Sequence, residues 1–400
     1  MNGKQKLLIV NNNLDTGGIQ RALVNLLYEL DKEKLFDIDL FLFSISGKHM
    51  TDIPPSVKVI EGNKLVKILG ISQIDSKKLG MGFYLFRGLA VIYTKIINRV
   101  FPVKLILYTQ RRMKGYDVAI SFMHDPNENT FYGGCNNFVI DRVTAKRKIT
   151  FVHCDFLSYG MNNSLNRLLY GEFDTIATVS ERCKDKFISA NPKLKNSVIT
   201  VLNCNNYEKI IGKSNENSII YEKSNFNIVT VSRISEEKGI IRTINVIEKL
   251  LETKRNILWH IVGTGSLESE VKAIIKAKKL EKNIIMYGNQ GNPYRYMKNA
   301  DLFLLPSFHE AAPMVFDEAK CLGLPILATE TTSTQEMVIE AKAGWVCGNS
   351  VEGIEKSLQY ILCNRYKIDE VRSYLLKQKY NNKTSLMQFQ NMLEEGAINE

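Results

Sequence analysis

The chain lacks a long apolar run, a C-x-x-C pair and a complete H-E-x-x-H motif, and between Lys64 and Lys114 it holds almost no acid. A helix that crosses a bilayer needs roughly 18 or more consecutive apolar residues, so a membrane-spanning protein is not expected. The opening residues MNGKQKLLIVNNN carry too short an apolar stretch for a secretory leader. A cytoplasmic protein is the expectation. The seven cysteines are scattered and odd in number, which fits reduced thiols rather than a disulfide framework. His309-Glu310 starts a zinc-type motif, but its fifth position is Pro313, so the second histidine ligand is missing.

The shortage of acids is local. Residues 64–114 contain eleven basic residues and one acid, Asp75, a net +10 out of the chain's +11. Arg87, Lys95, Arg99 and Lys104 interrupt the apolar residues there. On a helical wheel Arg87, Lys95 and Arg99 share about one third of the circumference, with Leu85, Leu89, Ile92 and Ile96 elsewhere. An anionic membrane surface is the expected partner of such a region. The alternative is a helix packed on the core with a solvated basic face. No recognition motif for nucleic acid accompanies the charge, so nucleic acid is not an expected partner.

What is present is a repeated strand and helix pattern. Lys6 to Val10 reads as a buried parallel strand, followed by a turn at Asp15-Thr16-Gly17-Gly18 and a helix from about Ile19 to Leu30. Further strands are expected at Ile38 to Phe43, Asp117 to Phe122, Lys148 to Val152, Thr175 to Val179 and Val198 to Leu202. The glycine pair would let backbone approach a ligand and leave N–H groups pointing outward. Asp37-Ile38-Asp39 is weighed as a metal-binding Asp-x-Asp and read instead as solvated acids alternating out of an edge strand. His153 follows a strand directly, where ligand-binding groups of open α/β sheets gather. His124 ends another.

The polar stretch Asn203 to Asn225 reads as a linker. A second series begins at Asn227 to Val231, with strands at Asn256 to Val262, Ile284 to Tyr287 and Leu302 to Leu305. Arg233 and Lys238 lie in one strand-to-helix loop, where two cations suit a diphosphate. Gly263-Thr264-Gly265 turns at the same sheet edge. The densest chemistry lies in DLFLLPSFHEAAPMVFDEAKCLGLPILA, residues 301–328. Pro313 suits the first helical position, the N–H groups of Met314 and Val315 are free for an anion, and Gly323-Leu324-Pro325 stop the helix. Glu310 sits in the entry loop and Glu318 on the helix.

Glu310, seven intervening residues, Glu318 and then Gly323-Leu324-Pro325 resemble the donor-site signature of family 4 (group 1) retaining glycosyltransferases. VSRISEEKGI resembles the same family's donor-phosphate motif, GGIQRALVNL its glycine-rich N-terminal loop, and FVHCDF the segment whose histidine faces the transferred sugar. The resemblance implies the α/β GT-B fold, two Rossmann-like domains facing across a cleft, with residues 1–205, 206–384 and a terminal helix at 385–400 that crosses back to the first domain. It implies a retaining, metal-independent transferase with no cofactor, moving a sugar from a UDP- or GDP-sugar to a glycan or lipid-linked oligosaccharide acceptor. The setting would be capsule, exopolysaccharide or lipopolysaccharide assembly at the inner membrane face.

The implied roles are specific. Arg233 and Lys238 would neutralise the diphosphate, and Glu318 would hold ribose hydroxyls. Glu310 and the backbone after it, at Ala312, Met314 and Val315, would orient the sugar, with His153 completing the pocket. Gly17, Gly18 and Gly265 would approach the donor, and the Tyr287 neighbourhood would receive the base. Front-face attack aided by the leaving phosphate is the implied route. Rival readings are a nucleotide-sugar epimerase of the same fold and an inactive subunit that docks on membranes.

Overall fold

A computed structural model describes residues 4–15, 17–158, 160–253 and 256–394. The chain forms two compact units, Met1–Cys204 with Asn382–Glu400, and Asn205–Asn381. The sequence reading draws these borders at 205/206 and 384/385.

The first unit is built on seven parallel strands in the order β3-β2-β1-β4-β5-β6-β7. They are β1 Gln5–Asn11, β2 Phe36–Leu42, β3 Lys58–Glu61, β4 Met113–Ser121, β5 Val143–Val152, β6 Thr175–Thr178 and β7 Val198–Thr200. Helices cover both faces of such a sheet, so its central strands are apolar on successive residues rather than alternately. Leu7, Leu8, Ile9 and Val10 are accordingly all fully buried. Leu7 registers with Ile38 on one side and Val118 on the other.

The second unit has six parallel strands in the order β10-β9-β8-β11-β12-β13. They are β8 Phe226–Val231, β9 Ile257–Val262, β10 Ile284–Met286, β11 Leu302–Leu305, β12 Ile326–Thr329 and β13 Gly344–Cys347. Trp259 is fully buried and its Nε1 donates to Thr230 Oγ1 at 2.9 Å, so the one polar atom of a large core side chain is satisfied. The outer strands β3 (KVIE) and β13 (GWVC) escape the sequence reading, because they are mostly half-buried and form no continuous buried apolar run.

Four features correct that reading. Asn203 to Asn225 is not all linker: Tyr207–Asn215 is a helix with Ile210 and Ser214 buried four residues apart. Asp39 is not a solvated edge residue, since β2 lies between β1 and β3. It is 4 % exposed and accepts a hydrogen bond from the Tyr116 hydroxyl at 2.7 Å.

The basic region is inverted relative to its expected orientation. In the helix Met81–Ile96 Arg87 is buried, donating from Nε to Ile68 O and from Nη1 to Gln73 Oε1, both at 3.0 Å. Arg99, just before the helix Val100–Tyr108, is buried against Asp125 at 2.5 Å. Lys95 alone of the three is exposed, and the apolar residues face outward with it. Finally, Pro313 stands one position before the first helical residue, because the helix it introduces is Met314–Cys321.

The terminal helix Lys383–Glu394 belongs to the first unit. Arg147 Nη1 donates to Met392 O at 3.1 Å and Leu393 O at 2.8 Å, and Leu202 N–H donates to Gln388 Oε1 at 3.0 Å. Thr16 of the glycine turn and residues 395–400 of the expected terminal helix lie outside the described residues.

Candidate functional site

A doubly wound sheet opens a crevice at the carboxyl ends of the two neighbouring strands whose connections diverge. In the second unit these are β8 and β11, which pair at the middle of the order. Ser232 to Gly239 follows β8, and Pro306 to Pro313 follows β11. Both loops carry the residues that the sequence singles out.

Backbone contacts lock the loops together. Phe308 N–H donates to Glu237 O at 2.8 Å. Gly239 has φ +66°, and a Cβ there would stand 2.0 Å from Pro306 O, so a side chain would push the loops apart. On the other flank Ile234 N–H donates to Thr264 O at 2.9 Å, and Leu267 N–H donates to Ile234 O at 3.0 Å. A Cβ on Gly265 would meet Ile234 O at 2.2 Å. Gly265 therefore serves the packing of its turn on the Arg233 loop. Gly263 N–H donates to Gly288 O at 2.8 Å, which joins the turn after β10 to the same edge.

The charges within this frame are paired. Lys238 Nζ donates to Glu310 Oε1 at 2.6 Å, and Ser307 Oγ donates to the same oxygen at 2.7 Å. Both side chains are largely enclosed, at 15 % and 12 % exposure. A lysine ammonium has three donors, so one carboxylate contact leaves capacity for an anion. Arg233 is more open, at 69 %, and its Nη2 donates to Glu237 Oε1 at 3.1 Å. Burial by itself would raise the Glu237 carboxyl, but the Ser235 hydroxyl, its own backbone, Arg233 and Lys238 together hold it below the usual range.

Glu318 lies on the helix Met314–Cys321, 2 % exposed, and accepts from the Tyr294 hydroxyl at 3.5 Å. Phe316 N–H is taken by Pro313 O at 3.0 Å. That leaves the Met314 and Val315 N–H groups at the helix start, with no backbone partner among the described residues. Ala311 and Ala312 are half-buried and neither has a positive φ. Gly323, at φ +69°, ends the helix, and Leu324 N–H donates back to Ala319 O at 2.9 Å.

Tyr287 follows β10, its hydroxyl 3.0 Å from His260 Nδ1 and its ring 4.5 Å from that of Tyr296. Burial lowers His260 to about 4, so this partner is neutral near pH 7.

Two supports were not visible in the sequence. Arg242 Nη2 donates to Pro306 O and to Asn349 Oδ1, each at 2.7 Å, and its guanidinium lies 3.8 Å from the centre of the Phe308 ring. Asn349 Nδ2 in turn donates to Phe308 O at 2.9 Å. No spacing rule links these positions, because the contacts are made by chain segments far apart in sequence.

In the first unit the corresponding strands are β1 and β4. Asn11, Asn12 and Asn13 close β1 and are buried. Asn13 Nδ2 donates to the Tyr132 hydroxyl at 3.2 Å, and Cys135 Sγ donates to Asn12 Oδ1 at 2.7 Å. Asn11 Oδ1, Asn12 Nδ2 and His124 Nδ1 are buried without a hydrogen-bond partner among the described residues. The asparagine triplet was legible as letters but carried no motif.

His153 immediately follows β5, its ring stacked on Phe151 at 5.6 Å and tilted against Phe122 at 4.8 Å between ring centres. Burial, with His124 beside it, lowers it to about 3, and its Nε2 has no hydrogen-bond partner among the described residues. Gly18 opens the helix Gly18–Glu33 with open space around it, while Gly17 is extended at φ 178°. Neither needs glycine's backbone freedom. Among the described residues no three His, Cys, Asp or Glu side chains gather as metal ligands.

Residues 212–381 match the family model described as Glycosyl transferases group 1. The amylovoran biosynthesis glycosyltransferase AmsK of Erwinia amylovora is 31 % identical over 143 residues, 34 % of each chain. The chain thus spans about a third of that relative. A Campylobacter jejuni relative is 25 % identical over 337 residues, 82 % of each chain. Its name is N-acetylgalactosamine-N,N'-diacetylbacillosaminyl-diphospho-undecaprenol 4-alpha-N-acetylgalactosaminyltransferase. Anabaena HepE, solved in complex with UDP and glucose, superposes with a TM-score of 0.63 at 16 % identity, covering 98 % of both chains. The two parallel sheets and this likeness are those of the GT-B fold, and residues 212–381 are similar to the group 1 glycosyl transferases.

Proposed function

We propose that the protein is a retaining glycosyltransferase that moves a sugar from a nucleoside-diphosphate sugar to a glycan acceptor in surface polysaccharide assembly. The observation that carries this reading is the Lys238–Glu310 pair at the divergence of β8 and β11, framed by interlocked loops. Lys238 and Arg233 neutralise the leaving diphosphate, and the Met314 and Val315 N–H groups add a helix N-terminus to the same charge. Glu310 holds the Lys238 ammonium in place and orients the sugar hydroxyls, while Glu318 accepts from the ribose.

The acceptor hydroxyl forms the new bond at the anomeric carbon as the bond to the diphosphate breaks. Its proton passes to the departing phosphate oxygen, which keeps attack on the face that the leaving group vacates. Charge compensation by side chains leaves no required step for a metal ion. The Campylobacter relative's name supports a lipid-linked acceptor, and that would station the enzyme at the cytoplasmic face of a membrane. The complex of HepE supports UDP as the nucleotide.

The test is a transfer assay with UDP- and GDP-sugars and an undecaprenyl-diphosphate oligosaccharide, run with and without EDTA. Product of retained anomeric configuration, formed equally in both, is the expected result. Inverted product, or no transfer from either donor class, would refute the reading.

A further inference from the structure

The helix Met81–Ile96 is turned outside in. It buries Arg87, Ala90 and Thr94, whereas Leu85, Leu89, Ile92 and Ile96 are 58, 67, 56 and 76 % exposed. Their spacing of four, three and four residues aligns them in one stripe. The next helix, Val100–Tyr108, continues it with Phe101 and Leu105, 59 and 51 % exposed. A ring contact of 5.7 Å between Tyr93 and Phe101 joins the two helices.

A surface helix ordinarily buries its apolar stripe, and contiguous exposed apolar surface marks a place of contact. Here the inversion is built in. Arg87 is anchored by its bonds to Ile68 and Gln73, and Arg99 by its buried bridge to Asp125. Rotating either helix to hide the leucines would strand an arginine.

The surroundings decide what covers the stripe. Lys77, Lys95, Lys104, Arg111 and Arg112, on the two helices or next to them in sequence, are exposed, and Asp75 is the only acid between Lys64 and Lys114. Two copies meeting on this face would bring like charges together. An anionic bilayer offers apolar depth for the stripe and headgroup charge for the rim. Among the described residues no helix is long and apolar enough to cross a membrane, so the pair would lie in the interface plane. We infer that the outward face of Met81–Ile96 and Val100–Tyr108 seats in an anionic lipid surface, with leucine and isoleucine side chains entering and the basic rim at headgroup level. The surface is argued from the first unit alone, so it stands apart from the glycosyl-transfer reading.

Flotation of the full chain tests this, using phosphatidylcholine vesicles with and without phosphatidylglycerol, at low and high salt. The wild type should float with the anionic vesicles. Leu89→Glu with Ile96→Glu should weaken partitioning about tenfold or more at both salts, because carboxylates would enter the apolar layer. Leu105→Glu, on the other helix, provides a second variant should the first fold poorly. Arg111→Ser with Arg112→Ser should lose about fivefold per charge at low salt and little at high salt. Each variant should keep the wild-type thermal response to UDP, which separates this inference from the donor-site reading. Wild-type protein that stays with the buffer fraction would overturn it, as would glutamate variants that float normally. A dimer in solution, broken by Leu89→Glu and indifferent to vesicles, would overturn it in favour of a second copy.

Discussion

At the residue scale the candidate site depends on side chains whose partners are few and fixed. Glu310 receives Lys238 and Ser307 on one oxygen, so Glu310→Gln keeps the shape and removes the charge that steadies the ammonium. Turnover should fall by about two orders of magnitude, the size seen when one electrostatic contact to a transition state is lost, with little change in melting temperature. Histidine protonation supplies a second prediction. His124, His153 and His260 are lowered to about 4, 3 and 4 by burial, with His124 adding to the effect at His153. Protons then bind the unfolded chain first, so stability is full above the ordinary histidine value near 6.5 and declines as pH falls toward 4. Each histidine contributes about 1.4 kcal/mol per pH unit in that window. Replacing His153 by Phe, between Phe122 and Phe151, should flatten the slope by one such share in urea titrations at pH 7 and pH 5. An unchanged slope would mean that His153 is not enclosed.

At the scale of elements, glycine positions separate packing from ligand approach. Gly239→Ala puts a Cβ against Pro306 O and forces a left-handed backbone, a loss of about 1–3 kcal/mol or more in stability together with activity. Gly18→Ala meets nothing within 4 Å, so folding stability should move by under about 0.5 kcal/mol. A fall in activity without a fall in melting temperature would mark Gly18 as a place where backbone meets donor. The sequence made much of this scale legible. Apolar runs such as LLIV and LFLL announce parallel strands, and Gly323-Leu324-Pro325 announces the end of a helix. It misled where local pattern and tertiary context disagree. The wheel of residues 81–96 shows two faces but not which one turns inward, and Arg87 is buried only because Ile68 and Gln73, from other elements, accept its protons. Arg242 and Asn349 were illegible for the same reason, since their value comes from the Phe308 loop.

At the scale of the whole molecule, the last helix ties the end of the chain to the first unit. Phe389, Met392 and Leu393 are buried there, and burying a large apolar side chain stabilises by about 1.5–3 kcal/mol. Their sum is comparable to the stability of a typical domain. Truncation after Asn381 should therefore unfold the first unit in preference to the second, read as the loss of one calorimetric transition while the other persists. Equal survival of both transitions would show that Arg147, Leu202 and their neighbours hold without the helix. The most direct test of the central claim is calorimetric titration of UDP and GDP into the wild type and Lys238→Ala. Saturable binding of one nucleotide to the wild type, weakened about tenfold or more by losing a charge-assisted contact, is the predicted result. Equal affinity in the two proteins, or no binding to either, would contradict the placement of a diphosphate at Lys238 and Glu310.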